Sequence, residues 1–168
     1  MNTAAERGKG WRWMFLSVLV VVADQISKSY VVGHLEEFQV NSVLPVLDIT
    51  LMHNVGAAFS FLASASGWQR WFFIALACSV SCGIAIWLLR LPAGARRLTA
   101  AGLALVLGGA VGNVIDRLRF GAVVDFLHAH AFGYSWYVFN VADAAIVCGV
   151  GVLVLDSLRA KPHTPASV

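Results

Sequence analysis

Two aspartates, Asp125 and Asp143, stand in apolar stretches of the chain, where a carboxylate is costly. A charged side chain at the centre of a membrane-spanning helix costs about 2.5–3.5 kcal/mol to insert, so each one needs a reason. Asp143 lies six residues after Tyr137, the expected start of the last apolar span. At a helical rise of about 1.5 Å per residue, it would lie about 9 Å inside the end of that span. Asn140 is three residues earlier on the same face and can donate to this carboxylate. We favour a functional interpretation of Asp143 over a structural one.

Asp125 has no Lys or Arg within four residues on either side. Apolar surroundings raise the pKa of an unpaired carboxyl. Taken alone, a single loop aspartate is more often a cap or turn residue, so its meaning depends on whether it meets Asp143. Both residues belong to the same outer region, because the third span ends before Asp125 and the chain re-enters through Asp143. Two carboxylates that share a site keep one proton between them, and such a pair can activate water and protonate a leaving amine.

Other catalytic patterns are missing from the sequence. It contains no His-Glu-x-x-His, no Gly-x-Ser-x-Gly and no P-loop lysine. The pair His128-x-His130 is too weak a signal to predict a metal site. The sequence therefore predicts neither a metal nor a cofactor.

The composition predicts what must position these residues, since 59% of the chain is hydrophobic and only 12% is charged. A soluble domain carries about 25% charged residues. This excludes a disordered chain, a collagen-like repeat and a disulfide scaffold, and argues against a soluble enzyme. We predict an all-α membrane protein, a four-transmembrane-helix bundle forming a single domain over residues 1–168. The four apolar stretches cover about 11–32, 71–89, 98–115 and 137–155. The glycines of the third predict that it lies centrally in the bundle; they are Gly102, Gly108, Gly109 and Gly112.

The distribution of Lys and Arg predicts the orientation in the membrane. With four spans, eight of the twelve lie on the side of the termini: Arg7, Lys9, Arg12, Arg90, Arg96, Arg97, Arg159 and Lys161. The positive-inside rule then places both termini in the cytoplasm.

Segments of about 33–70 and 116–136 remain outside the membrane in this topology. Residues 43–52 partly alternate polar and apolar side chains, as a half-buried strand would, which predicts a small β-structure. Residues 64–69 are expected to form a short interfacial segment.

Further polar residues accompany the two aspartates. Asp24 and Lys28 are four residues apart in the first span and could form an ion pair that lowers the cost of burying both. Asn113, Asp116 and Arg117 end the third span, and the adjacent Asp116 and Arg117 must point to different partners. Polar contacts between helices and direct substrate contacts explain these residues equally well.

Three classes of function remain open at this point. The first is a peptidase that uses Asp125 and Asp143. The second is a small proton-coupled transporter, with Asp24, Lys28 and Asp143 as a relay, although no inverted repeat is visible. The third is a membrane scaffold without catalytic activity.

The sequence resembles the bacterial lipoprotein signal peptidases, also called signal peptidase II, over nearly its whole length. Five blocks in the family order carry the resemblance: Asp24-Gln-Ile-Ser-Lys28, Asn54-Val-Gly-Ala-Ala-Phe-Ser60, Gly108-Gly-Ala-Val-Gly-Asn-Val-Ile-Asp-Arg117, Val123-Val-Asp-Phe126 and Phe139-Asn-Val-Ala-Asp143.

The resemblance implies an intramembrane aspartic endopeptidase of the bacterial inner membrane, with its active site on the periplasmic side. It would remove signal peptides from prolipoproteins on the amino side of a diacylglyceryl-modified cysteine, with Asp125 and Asp143 as the catalytic pair. Substrate-binding or supporting residues would be Asn54, Gly56, Gly108, Asn113, Asp116, Arg117 and Asn140. The outer β-segment would form a periplasmic cradle for the substrate. Membrane lipids and the inhibitor globomycin are the other expected partners, nucleic acid is not, and a monomer is expected because one chain supplies both aspartates.

Overall fold

The computed structural model describes residues 9–56, 67–92 and 96–159. Four long helices lie within these ranges: α1 (Met14–His34), α2 (Trp68–Arg90), α3 (Arg97–Phe120) and α4 (Val141–Arg159). A short 3₁₀ turn, Lys9–Trp13, precedes α1. All four helices are long and apolar enough to cross a membrane, which confirms the predicted four-span architecture.

Helices α3 and α4 differ from the predicted spans at the ends nearest the two aspartates. α3 continues past residue 115 to Phe120, where Gly121, with φ 78°, ends it by donating its N–H to the Arg117 carbonyl at 3.2 Å. α4 begins only at Val141, because the strap before it (residues 136–140) is extended and pairs with a strand. Asp143 therefore lies in the first turn of α4. The expectation that it lies about 9 Å inside the helix was wrong.

Helix α3 is the centre of the bundle, as its glycines predicted, and α1, α2 and α4 all pack against it. A Cβ atom on Gly109 would collide with the Ala142 carbonyl oxygen and lie 2.7 Å from the Ile146 side chain. A Cβ atom on Gly112 would lie 2.7 Å from the Asp24 carboxylate. The small residues of α3 therefore bring α4 and a buried acid of α1 into close contact.

The predicted small β-structure is present as a four-stranded antiparallel sheet in the order β1-β2-β3-β4. Its strands are β1 (Val40–Leu44), β2 (Leu47–Asn54), β3 (Val123–Ala131) and β4 (Tyr134–Ser135). A buried cluster of Val31, Leu51, Val124 and Phe126 joins α1 to the sheet. The predicted interfacial segment, residues 64–69, falls largely outside the described residues, and α2 begins at Trp68.

Two glycine variants test the close packing of α3 against α4. Gly109→Ala is expected to lower the melting temperature in detergent, because overpacking of this kind costs about 1–3 kcal/mol. Gly151→Ala in α4 is the matched control, since a Cβ atom there would meet nothing within 4 Å. It should leave the melting temperature unchanged or raise it, because alanine favours a helix over glycine. Equal melting temperatures for the two variants would contradict the close contact.

Candidate active site

The fold brings Asp125 and Asp143 to one cavity of about 610 Å³. Asp125 is the third residue of β3, opposite Met52 of β2, and Asp143 is the third residue of α4. The remaining wall comes from the end of β2 and from the strap: Met52, His53, Asn54, Val55, Trp136, Tyr137, Val138 and Phe139. The sequence analysis expected Asp125 and Asp143 to share a site. In the structure both line the same cavity, Asp125 from a strand and Asp143 from the start of a helix.

Two asparagines connect the carboxylates. Asn140 donates from Nδ2 to Asp125 Oδ1 at 2.7 Å, and Asn113 donates from Nδ2 to Asp143 Oδ1 at 2.7 Å. The two amides also meet each other, with Asn140 Nδ2 at 3.3 Å from Asn113 Oδ1. The expectation that Asn140 donates to the Asp143 carboxylate was wrong. Its Oδ1 instead accepts the backbone N–H of Asp143 at 2.9 Å, so Asn140 caps the first turn of α4.

Asn54, at the end of β2, holds the other oxygen of Asp125. Its Nδ2 donates to Asp125 Oδ2 at 3.0 Å, and its Oδ1 accepts the N–H of Gly56 at 2.9 Å. Gly56 has φ 103°, a conformation that side chains rarely adopt, and a Cβ atom there would lie 2.6 Å from the Phe73 ring. Gly56 therefore turns the chain so that the Asn54 side chain points to the carboxylate.

Burial makes Asp125 a weaker acid than usual, as the sequence predicted. Removal from water raises the pKa of Asp125 from 3.8 to about 6. The hydrogen bond from Asn54 opposes this rise, the negative charge of Asp143 adds to it, and the Asn140 hydrogen bond and the Lys28 charge oppose it. A carboxyl of this kind holds a proton more readily than an exposed one and can serve as an acid near neutral pH.

The predicted ion pair of α1 is present and larger than expected. Lys28 Nζ lies 2.9 Å from Asp24 Oδ2 and 2.7 Å from Asp116 Oδ2, and it donates to Asn113 Oδ1 at 3.1 Å. The three charged side chains are at most 2% exposed. Gln25, which the sequence analysis did not single out, donates to Asp116 Oδ1 at 2.8 Å. We call Asp24, Lys28 and Asp116 the lysine cluster.

Each carboxylate of the lysine cluster also holds the backbone beside one candidate catalytic residue. Asp24 Oδ1 accepts the N–H of Ala142 at 2.9 Å, one residue before Asp143. Asp116 Oδ2 accepts the N–H of Val124 at 3.1 Å, one residue before Asp125. No sequence spacing indicates these contacts, because they join residues 118 and 8 positions apart through backbone atoms.

The positive charge of Arg117 interacts with the negative charges of Asp143 and Asp125, whereas Gly108 contacts α1. Arg117 donates to the Asn113 carbonyl at 3.3 Å, and its guanidinium lies 5.3 Å from the centre of the Phe73 ring. It thus has different partners from Asp116, as their adjacency predicted. Gly108 lies against α1, where a Cβ atom would be 2.7 Å from the Ser17 carbonyl oxygen. Its contact with α1 is consistent with support of the bundle.

A second polar cluster lies on the sheet, away from the cavity. Asp48 accepts a hydrogen bond from Ser42 Oγ at 2.6 Å and lies 3.1 Å from His130 Nε2 and 3.6 Å from His128 Nδ1. The Ser42 hydrogen bond, ahead of the two histidines, lowers the pKa of Asp48. Among residues 9–56, 67–92 and 96–159, no group of three or more His, Cys, Asp or Glu residues is arranged to hold a metal ion.

Neutralising Lys28 tests the role of the lysine cluster. Lys28→Met leaves two buried carboxylates without their cation, so we expect it to destabilise the protein by about 3–5 kcal/mol in unfolding experiments in detergent. The triple variant Asp24→Asn, Lys28→Met, Asp116→Asn keeps acceptors for both backbone N–H groups and removes all three charges. It should recover much of the lost stability, whereas a parent-like Lys28→Met would contradict an essential cluster.

Comparison with known proteins identifies the family. A family profile described as "Signal peptidase (SPase) II" matches residues 16–159. The lipoprotein signal peptidase of Azoarcus sp. (strain BH72) is 50% identical over 155 residues, which cover 91% of this chain and 86% of the relative. That of Pseudomonas fluorescens (strain Pf0-1) is 50% identical over 164 residues, 96% of this chain and 95% of the relative.

Solved structures agree with the sequence relatives. A bacterial membrane enzyme determined by the in meso method at 1.9 Å has a TM-score of 0.81 at 26% identity, covering 93% of this chain and 98% of that one. A second, at 2.3 Å, has a TM-score of 0.82 at 26% identity, covering 97% and 98%. These matches give no support to a transporter. A profile match over most of the chain and relatives that are half identical establish that this multi-pass membrane protein belongs to the signal peptidase II family.

Proposed function

We propose that this protein is an aspartic endopeptidase that removes signal peptides from prolipoproteins, with Asp125 and Asp143 as its catalytic pair. The observation that carries the proposal is the shared cavity, in which two carboxylates are connected by Asn140 and Asn113. Family membership supports the substrate class, since the relatives are lipoprotein signal peptidases. As the resemblance implies, cleavage falls on the amino side of the diacylglyceryl-modified cysteine.

The two carboxylates lie in different surroundings. Asp143 lies in the first turn of α4, where the helix dipole stabilises a negative charge. Asp125 is buried, and its raised pKa favours the protonated form. We therefore assign the ionised carboxylate to Asp143 and the proton to Asp125. A peptide bound in the cavity excludes water and strengthens this difference.

The reaction follows from this assignment. Asp143 takes a proton from a water molecule, whose oxygen attacks the scissile carbonyl carbon, while the Asp125 carboxyl donates a hydrogen bond to the carbonyl oxygen. The tetrahedral intermediate collapses when the leaving amine receives a proton from the pair, and the pair returns to its singly protonated state. Asn113 and Asn140 keep both carboxylates oriented through each proton transfer.

The position of the site suits a lipidated membrane substrate. The cavity opens beside the start of a membrane-spanning helix, and the apolar strap residues Trp136, Tyr137 and Val138 line it. A signal peptide is an apolar helix that lies in the bilayer, so its cleavage site is at the membrane surface. The peptide can therefore reach the cavity without its helix leaving the bilayer. We propose that the site is periplasmic and both termini cytoplasmic, in accord with the distribution of Lys and Arg. Globomycin sensitivity and a monomeric enzyme are further expectations, the latter because one chain supplies both carboxylates.

Replacing either carboxylate tests the catalytic pair. Asp125→Asn and Asp143→Asn should each lower prolipoprotein processing by about 10²–10⁴-fold, because neither can then exchange a proton. Processing is measured on a purified lipidated precursor, with melting temperature as a check on folding. Asp48→Asn in the sheet and Asp156→Asn in α4 are matched controls outside the cavity and should retain activity. Near-parental activity of either catalytic variant would refute the assignment.

The pH dependence of kcat/KM tests the assignment of the proton. Activity should fall as the pH rises through the pKa of Asp125, about 6 in the empty site, because the ionised pair has lost its acid. Asn54→Ala removes a hydrogen bond that lowers this pKa, so the falling limb should move to higher pH. Asn41→Ala on β1 is the control and should leave the limb in place. A limb that stays or moves to lower pH in Asn54→Ala would contradict the assignment.

A further inference from the structure

The two hairpin turns of the sheet expose apolar side chains at the same end. The register pairs Leu47 with Ala129, and His130 donates its N–H to the Val46 carbonyl at 3.0 Å, so the β1–β2 turn lies beside the start of the β3–β4 turn. We define the sheet tip as the exposed apolar residues in and beside these two turns: Val43, Leu44, Val46, Phe132 and Tyr134.

Phe132 has an unusual conformation for its size. The β3–β4 turn consists of Phe132 and Gly133, with φ angles of 51° and 81°. Turns of this kind favour Asn or Gly at both positions, and a bulky residue there is strained. Phe132 is 101% exposed, so no contact with the described residues compensates for this strain. An apolar environment outside the protein would stabilise the exposed ring and so compensate for the strain.

Few charged side chains lie around the sheet tip, and the carboxylate beside it, Asp48, is buried and contacts Ser42, His128 and His130. Residues 38–47 and 126–142 contain no Asp, Glu, Lys or Arg. Water-exposed hairpins and sheet edges usually carry charged side chains, which prevent association. A long uncharged and apolar surface marks a contact with a membrane or with another protein.

Exposed aromatic residues between the sheet tip and the bundle favour the membrane. The strap connects β4 directly to the start of α4 and exposes Trp136 and Tyr137. Exposed aromatic residues also mark this end of the other three spans: Tyr30 in α1, Trp68 and Trp71 in α2, and Phe120 in α3. Trp and Tyr collect at the interface between bilayer and water. Exposed aromatic residues thus extend from the sheet tip along the strap to the end of the bundle where α4 begins.

We infer that the sheet tip inserts into the interfacial layer of the bilayer at the site end of the bundle. The sheet then lies along the membrane surface, since β3 extends about 20 Å from Asp125 to the turn at a rise of about 3.3 Å per residue. The cavity is thereby held at the depth of the lipid headgroups. This inference concerns contact with lipid and stands independently of the catalytic assignment.

A fluorescent label at the sheet tip tests the insertion directly. Phe132→Cys is made in a chain whose three cysteines are replaced by alanine, labelled with a polarity-sensitive dye and reconstituted in phosphatidylethanolamine–phosphatidylglycerol vesicles. Glu37→Cys, in the charged loop after α1, is the water-facing control. We expect blue-shifted emission at 132, strong quenching by a lipid-borne quencher near the headgroups, and protection from aqueous iodide.

Other outcomes of the labelling overturn the inference. If iodide quenches the labels at 132 and 37 equally and the lipid quencher affects neither, the sheet tip lies in water. If the label at 132 is protected from iodide but not quenched from the lipid, protein covers the tip. Neither readout needs peptidase activity, so failure of this inference is distinguishable from failure of the proposed function.

Two substitutions separate membrane contact from folding. Phe132→Asn suits a positive φ angle, so its melting temperature in detergent should equal or exceed that of the parent. In vesicles Phe132→Asn should raise KM for a lipidated precursor several-fold with little change in kcat, because the cavity is no longer held at the depth of the lipid headgroups. Phe132→Trp keeps an interfacial aromatic and should retain the parental KM. A parental KM for Phe132→Asn in vesicles would contradict the inference that the inserted sheet tip holds the cavity at the depth of the headgroups.

Discussion

The structure depends on the burial of one lysine between two carboxylates. Lys28 contacts Asp24 on its own helix and Asp116 on α3, and all three side chains are almost fully shielded from solvent. Removing such charges from water is expensive, and a buried ion pair contributes little net stability. In this protein the buried lysine cluster instead fixes the geometry of the site. The same two carboxylates accept the backbone N–H groups of Ala142 and Val124, so one cation fixes the relative positions of α1, α3, α4 and β3.

That arrangement explains how a small chain holds two acidic residues from different kinds of element in one cavity. Asp125 lies in a strand and Asp143 at the start of a helix, so no single element sets the distance between them. Each is held through a hydrogen bond to the backbone N–H of the preceding residue. The asparagines add a second layer of constraint. Asn140 caps α4 and orients Asp125, while Asn113 orients Asp143, so the amides fix the carboxylates directly and the lysine cluster fixes the backbone behind them. A site whose supporting groups are themselves held in place keeps its geometry during proton transfer.

Charge is distributed very unevenly over the end of the molecule that carries the site. Buried charged groups lie in the lysine cluster, in the cavity and at Asp48, whereas residues 126–142, which include the β3–β4 turn and the strap, contain no Asp, Glu, Lys or Arg and expose aromatic side chains. The strap belongs to both regions, because it lines the cavity with Trp136 and Tyr137 and leads into a membrane-spanning helix. The apolar lining of the cavity suits the proposed lipid-modified substrate, and Asp125 is buried beside it.

The sequence by itself determined the membrane class, the four spans, the central place of α3 and the small sheet, because these follow from composition, apolar run length and local alternation. It also predicted Asp125 and Asp143 as the chemical pair and Asp24 with Lys28 as an ion pair, since an intramembrane charge needs a partner. Only the tertiary structure decided the start of α4, which cross-strand bonds to the strap delay to Val141. It alone also decided that Asn140 serves Asp125 and that Lys28 pairs with Asp116. These contacts form between distant parts of the chain, and sequence spacing predicts proximity only within one helix or strand.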